Sequence, residues 1–107
     1  MIQTLITSFS EREEQGIPIA PSEWLNGASR MNAFMLEVDD QLVLAIMAVN
    51  KKLAECVEKG ESAAKARIIV QATEEYHKVL SVQGLYKRGE EFIRLAKKRT
   101  NLQHFDV

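Results

Sequence analysis

The sequence has few of the residues that cross-link a chain or interrupt a helix. It contains a single cysteine, Cys56, which excludes a disulfide within the chain and is compatible with a reducing compartment. Its only two prolines, Pro18 and Pro21, both lie before residue 22. Proline is the strongest helix breaker, so the sequence after residue 21 contains no residue that forbids a helix.

The sequence also lacks a long hydrophobic run and a strong charge of one sign. The longest apolar run, residues 42–49, is far shorter than the roughly 20 residues that cross a bilayer. Residues 1–5 lack the basic region that opens a secretory signal, so we expect a cytoplasmic protein with no membrane partner. The formal net charge of −1 gives no general attraction to nucleic acid. The charge is uneven, however, because residues 1–61 carry ten acids and five bases and the remainder five acids and nine bases.

What the sequence does contain is a long helical pattern over residues 22–59. Apolar residues recur there at spacings of three and four, which predicts a helix with one continuous apolar seam. Within residues 42–49 every side chain is apolar, so apolar groups point in all directions and one packed neighbour covers only one face. The spacing is broken only at Lys52, where the seam can shift to Leu53 and Val57. The seam comprises Trp24, Ala28, Met31, Met35, Val38, Leu42, Ala45, Val49 and Cys56.

Capping residues predict where the long helices begin and end. Ser22 is a suitable N-cap for helix one (residues 22–59), and Ser62 for helix two (residues 62–98). Gly60 is a suitable C′ residue, so residues 59–62 are predicted to form the tight turn of an antiparallel helical hairpin. One continuous helix through Gly60 is the alternative, since a glycine inside a helix costs only about 1 kcal/mol relative to alanine. Gly84 and Gly89 leave open whether helix two bends, breaks or accepts a close neighbour.

The two ends of the chain are predicted to be short accessory segments. Residues 1–21 form an amino-terminal arm and linker, in which Ile2, Leu5, Ile6 and Phe9 fall on one face of a short amphipathic helix. Four Thr and Ser residues in the same stretch leave an extended arm open as an alternative. Residues 99–107 are predicted to be a frayed tail.

The predicted fold is therefore one all-α domain over residues 1–107, a long helical hairpin with a short amino-terminal element. Two helices alone leave much apolar surface in water, whereas two hairpins paired into a four-helix bundle would cover residues 42–49. We therefore expect a homodimer or higher closed homo-oligomer, with coiled-coil packing through helix one. The expected interface residues are Trp24, Met35, Val38, Leu42, Leu44, Ile46 and Val49.

One short motif suggests a metal. Glu74 and His77 form Glu-x-x-His, a spacing that places a carboxylate and an imidazole on one helical face. The motif resembles the unit that ferritin-like di-iron bundles use, and this resemblance implies bridging carboxylates from the other helices. Glu37, Asp39 and Asp40 match it only approximately in an antiparallel hairpin. An exposed Glu and His pair without metal is the simpler interpretation.

The carboxyl-terminal part of helix two is rich in cations, which are Lys87, Arg88, Arg94, Lys97, Lys98 and Arg99. Such a cluster attracts phosphates, and Tyr86 and Phe92 lie among these residues as a stacking surface would require. The alternative is a solvated helix end whose cations satisfy the helix dipole and pair with the acidic amino-terminal half.

No other pattern points to catalysis. The sequence has no Ser-His-Asp order, glycine-rich phosphate loop, paired cysteines or zinc-binding spacing. We therefore expect a non-enzymatic protein without a cofactor, which binds itself and another protein as an interaction or assembly module. A nucleic-acid-binding accessory factor is the first alternative, and a metal-dependent ferritin-like bundle is the second.

Overall fold

The residues that the structure describes fold into four α-helices and contain no strand. The computed structural model describes the backbone of residues 1–105 and the side chains of residues 1–101. The all-α prediction is confirmed, and the two longest helices pack against each other. The helices are α1 (Ile2–Glu14), α2 (Pro21–Glu58), α3 (Ala63–Gln71) and α4 (Glu74–Phe105).

The amino-terminal element is helical rather than extended, and a glycine ends it. The N–H of Ile17 donates to the carbonyl of Arg12 at 2.8 Å, and the N–H of Gly16 donates to that of Glu13 at 3.1 Å. These two bonds form a Schellman motif, in which the C′ residue is left-handed. Gly16 has a φ of +71°, a conformation that residues with a Cβ rarely adopt.

Helix α2 begins at Pro21, one residue before the predicted start, so the assignment of Ser22 as N-cap is wrong. The carbonyl of Ala20 accepts from the N–H groups of Glu23 and Trp24, at 3.0 and 3.1 Å. Proline suits the first helical position because its φ is already helical and its missing N–H would have no intrahelical partner. Ser22 therefore lies inside the first turn.

The turn after α2 has the predicted chemistry. Gly60 has a φ of +90°. Its N–H donates to the carbonyl of Val57 at 3.0 Å, and that of Glu61 donates to Cys56 at 3.2 Å. The Ser62 hydroxyl then accepts from the N–H of Lys65 at 3.2 Å and caps α3.

Helix two is not one helix, because α3 ends at Gln71 and α4 begins at Glu74. Thr73 explains the break. Its hydroxyl donates to the carbonyl of Val70 at 2.6 Å and accepts from the N–H of Tyr76 at 3.3 Å, so it caps α4. Neither Gly84 nor Gly89 interrupts α4, which continues through most of the predicted tail to Phe105, while residues 106 and 107 lie outside the described residues.

Replacing Thr73 with alanine should lower the free energy of unfolding by about 1 kcal/mol, because α4 loses the acceptor that caps its first turn. Urea denaturation of both proteins at one concentration measures the difference. Thr73→Ser keeps the hydroxyl and should remain within about 0.5 kcal/mol of the wild type. Equal stability of the alanine variant would contradict the capping role.

The chain divides into two compact units. The first unit comprises residues 1–37 and the part of α4 from residue 85 onward. Its core contains an aromatic cluster of Phe9, Trp24 and Phe92, one ring from each of α1, α2 and α4. The ring of Phe9 lies 4.7 Å from that of Trp24 and 5.2 Å from that of Phe92. Such pairs contribute beyond the area they bury.

Two glycines allow close packing in the first unit. A Cβ on Gly27 would lie 2.8 Å from the Phe9 ring and 3.2 Å from the Phe92 ring. A Cβ on Gly89 would lie 2.9 Å from the sulfur of Met35. Gly89 therefore marks a close approach between α4 and α2, one of the three alternatives that the sequence left open.

An arginine joins the first two helices of this unit at their linker. Arg12 donates from one nitrogen to the carboxylate of Glu23 and from another to the carbonyl of Pro18, at 2.8 Å. The hydrogen bond from Arg12 lowers the pKa of the Glu23 carboxyl below its ordinary value, since it stabilises the ionised form. The stabilisation is therefore present at neutral pH and is lost as the pH falls through the lowered pKa.

The second unit comprises residues 38–84, with the carboxyl-terminal part of α2, the whole of α3 and the start of α4. Lys52 links two of these helices, with its nitrogen 4.0 Å from Glu75 and 4.0 Å from Glu55. The buried apolar side chains of this unit are all valine or alanine, namely Val38, Ala45, Ala66, Val70, Val79 and Val82.

Candidate self-association surface

Half of the uninterrupted apolar run in α2 faces solvent. Of residues 42–49, Ala45 is buried and Leu42, Ala48 and Val49 are half-buried within the chain. The other four are exposed, with Leu44 at 66% and Met47 at 60% of their possible accessibility. The chain's own packing therefore covers one side of this run and leaves the opposite side in water, although apolar side chains occupy both.

The exposed apolar residues of α2 in the second unit follow helical spacing. Val43, Met47 and Val57 lie close to one line along the helix, and Leu44 and Ile46 flank it. We call these five residues the apolar stripe. The exposed residues Asp40, Asn50 and Ala54 lie on the same line, so positions 40, 43, 47, 50, 54 and 57 alternate spacings of three and four.

The remainder of the second unit increases its exposed apolar surface. Ile68 and Ile69 on α3 and Leu80 on α4 are exposed, which brings the large exposed apolar residues of this unit to eight. The same unit buries nothing larger than valine. A soluble monomer rarely exposes apolar surface that is both contiguous and extensive, and larger patches mark interaction sites.

The seven predicted interface residues fall into three groups. Trp24, Met35 and Val38 are buried by the chain's own packing, so they are unavailable to a second copy in this fold. Leu42 and Val49 are half-buried. Leu44 and Ile46 are exposed and belong to the apolar stripe.

The other three members of the stripe, Val43, Met47 and Val57, were not among the predicted interface residues. Val43 and Met47 are four residues apart within the apolar run, and Val57 lies ten residues further along the same face of α2. Within a run that is apolar on every side, periodicity alone does not distinguish the covered face from the exposed one. The predicted interface therefore combines five residues that the chain buries or half-buries with the exposed pair Leu44 and Ile46.

Charged residues flank the apolar run, residues 42–49, on both sides. Asp40 lies two residues before the run and Lys51 two residues after it, and both are exposed. Neither forms an ion pair within the part of the chain that the structure describes. The neighbouring Lys52 differs, because it already contacts Glu55 and Glu75.

The basic residues of α4 lie in the first unit, where one of them is paired. Arg99 is half-buried, and its Nε donates to the Glu13 carboxylate at 2.9 Å, the kind of pairing with the acidic amino-terminal half that the sequence allowed. Phe92 is buried in the aromatic cluster, so its ring is not available for a base to stack on. Tyr86 is half-buried. The remaining cations, Lys87, Arg88, Arg94, Lys97 and Lys98, are exposed.

The residues considered for a metal do not form a group of ligands. Glu74 and His77 are exposed in the first turn of α4. Among the described residues, no three His, Cys, Asp or Glu side chains are placed to hold a metal ion together. Glu74 and His77 therefore have no third ligand beside them among the described residues.

The apolar stripe is therefore the strongest candidate for a functional surface.

Cys56, the only thiol, is half-buried and unpaired. None of the helices in the described residues combines the length and the apolar composition that crossing a bilayer requires. Comparisons of the chain with protein-family models, with curated proteins and with solved structures found no match.

Proposed function

We propose that the chain is a non-enzymatic assembly module that associates with itself through the apolar stripe of α2. One observation carries the proposal: the second unit buries only valine and alanine but exposes eight large apolar side chains. Covering such side chains is worth about 1.5–3 kcal/mol for each one fully buried. Association therefore supplies apolar burial that the unit lacks by itself.

The proposed role is that of a small accessory or scaffold protein whose assembled form presents its other helix faces to a further protein partner. The described residues contain no group of side chains suited to holding a metal, and the sequence has no catalytic pattern. A reducing compartment such as the cytoplasm suits a chain with one free thiol.

The test is the solution mass of the purified chain, measured by light scattering and sedimentation equilibrium over a series of concentrations. A dimer or larger closed oligomer that dissociates on dilution supports the proposal. A monomer of 12.1 kDa at every concentration would overturn it. Absorbance at 260 and 280 nm on the same peak shows whether nucleic acid accompanies the protein.

Binding of nucleic-acid phosphates by α4 is a second candidate function. The observation that favours it is the spacing of Lys87, Arg94 and Lys98, which are exposed and share one helical face at intervals of seven and four. Glu91 interrupts this face, and the burial of Phe92 removes one of the two stacking residues. Contacts to phosphates therefore remain the mode of binding that this surface suits.

Fluorescence anisotropy with single- and double-stranded DNA tests the second candidate. Phosphate contacts predict an affinity that falls steeply between about 50 and 200 mM salt. Exchanging Lys87, Arg94 and Lys98 for glutamine should abolish DNA binding, whereas Lys65→Gln on α3 should not. Absence of binding at the lowest salt concentration excludes this function.

A further inference from the structure

The apolar stripe also contains information about the direction in which two copies pair. Positions 40, 43, 47, 50, 54 and 57 have the alternating spacing by which paired helices interlock. Most of these positions are apolar, but Asp40 and Asn50 are polar. Polar residues at such positions commonly fix the register and orientation of a helix pair.

We propose that the α2 helices of two copies pair antiparallel about a two-fold axis near residue 45, with Asp40 of each copy beside Lys51 of the other. This inference rests on the proposed self-association. The apolar run, residues 42–49, is centred between residues 45 and 46, and Asp40 and Lys51 lie at equal distances on either side of that centre. In such an arrangement, residues whose numbers sum to about 90 face each other.

The antiparallel register gives compatible neighbours to the stripe residues of the apolar run and to the polar residues beside it. Val43 of one copy meets Met47 of the other, and Leu44 and Ile46 each meet their own counterparts near the axis. Asp40 meets Asn50 and Lys51 of the second copy. The two-fold axis repeats each contact, so two Asp40–Lys51 pairs close the two ends of the apolar run.

A parallel, in-register pair is less compatible with the same residues. It would place Asp40 of one copy against Asp40 of the other at an inward-facing position, where like charges repel across a partly dehydrated contact. Lys51 would then face no opposite charge on the stripe. Asp40 and Lys51 are also free to pair with a second copy, because both are exposed without an ion pair among the described residues.

Charge reversal tests the arrangement. In Asp40→Lys and in Lys51→Asp, each of two attractive pairs becomes repulsive, and we expect the dissociation constant of the dimer to rise roughly 10- to 100-fold at low salt. The double variant with both reversals restores the pairs and should return to the wild-type affinity. Lys87→Asp changes the net charge equally on an exposed part of α4 and should leave the affinity unchanged.

A distance measurement gives an independent readout of direction. A spin label at Glu58→Cys, in a Cys56→Ser background, lies about 13 residues from the axis. Two labels should then be about 40 Å apart in an antiparallel pair but about 10 Å apart in a parallel one.

The outcomes separate this inference from the proposed function. A wild-type chain that is monomeric overturns both. A wild-type dimer whose affinity neither reversal changes, or whose labels are about 10 Å apart, overturns the antiparallel pairing and leaves self-association in place. Restored affinity in the double variant together with the long distance supports both.

Discussion

Replacing Leu44 and Met47 together with glutamate should raise the dissociation constant of the assembly roughly a thousandfold or more. Each of these side chains contributes about 1.5–3 kcal/mol when it is fully buried, and a two-fold dimer contains four of them. A factor of ten in affinity corresponds to about 1.4 kcal/mol, so even partial burial predicts a loss of this size. Sedimentation equilibrium of the variant and the wild type measures it.

The same variant should remain folded. Leu44 and Met47 are 66% and 60% exposed in the single chain, so the chain's own core does not depend on them. Glutamate is a good helix former, and at position 47 it precedes Lys51 by four residues, which favours the helix slightly. Far-ultraviolet circular dichroism should therefore be unchanged.

Leu25→Glu is the matched control. Leu25 lies on the same helix and is 58% exposed, but it is in the first unit and lies about 27 Å along the helix from Val43. Its replacement should leave the mass of the assembly unchanged. An unchanged mass in the Leu44 and Met47 variant as well would show that the apolar stripe is not the contact surface.

Replacing Trp24 with alanine should lower the free energy of unfolding by about 3–5 kcal/mol. Trp24 is 2% exposed, and its ring centroid lies 4.7 Å from that of Phe9 and 6.0 Å from that of Phe92. Alanine removes the contacts that tie α1 and α4 to α2 and leaves a cavity between three helices. Such a loss is a large fraction of the stability of an ordinary domain.

Urea denaturation at a fixed protein concentration measures the effect, because association also contributes to stability. Leu25→Ala changes the next residue of the same helix, whose side chain is mostly exposed. It should lower the free energy of unfolding by no more than about 0.5 kcal/mol. A loss below about 1 kcal/mol for Trp24→Ala would contradict the central position of this residue in the first unit.

Local chemistry explains which parts of the fold could be read from the sequence. The turn at Gly60 and the cap at Ser62 depend on residues within a few positions of each other, and both were predicted. The cap at Thr73 depends on equally local chemistry, a threonine followed by two acidic residues in the first turn of α4, and was missed. A break in helix two was considered at Gly84 and Gly89 instead, although neither interrupts α4.

Which side of α2 is covered is visible only in the folded chain. Helical spacing predicts that α2 is a long helix with one continuous apolar seam and an eight-residue apolar run, because it is a property of neighbouring residues. It did not determine that the face with Trp24 and Met35 is buried while Met47 is exposed. That choice depends on contacts such as those of Trp24 with Phe9 and Phe92, which lie far away along the chain and meet only when α1, α2 and α4 pack.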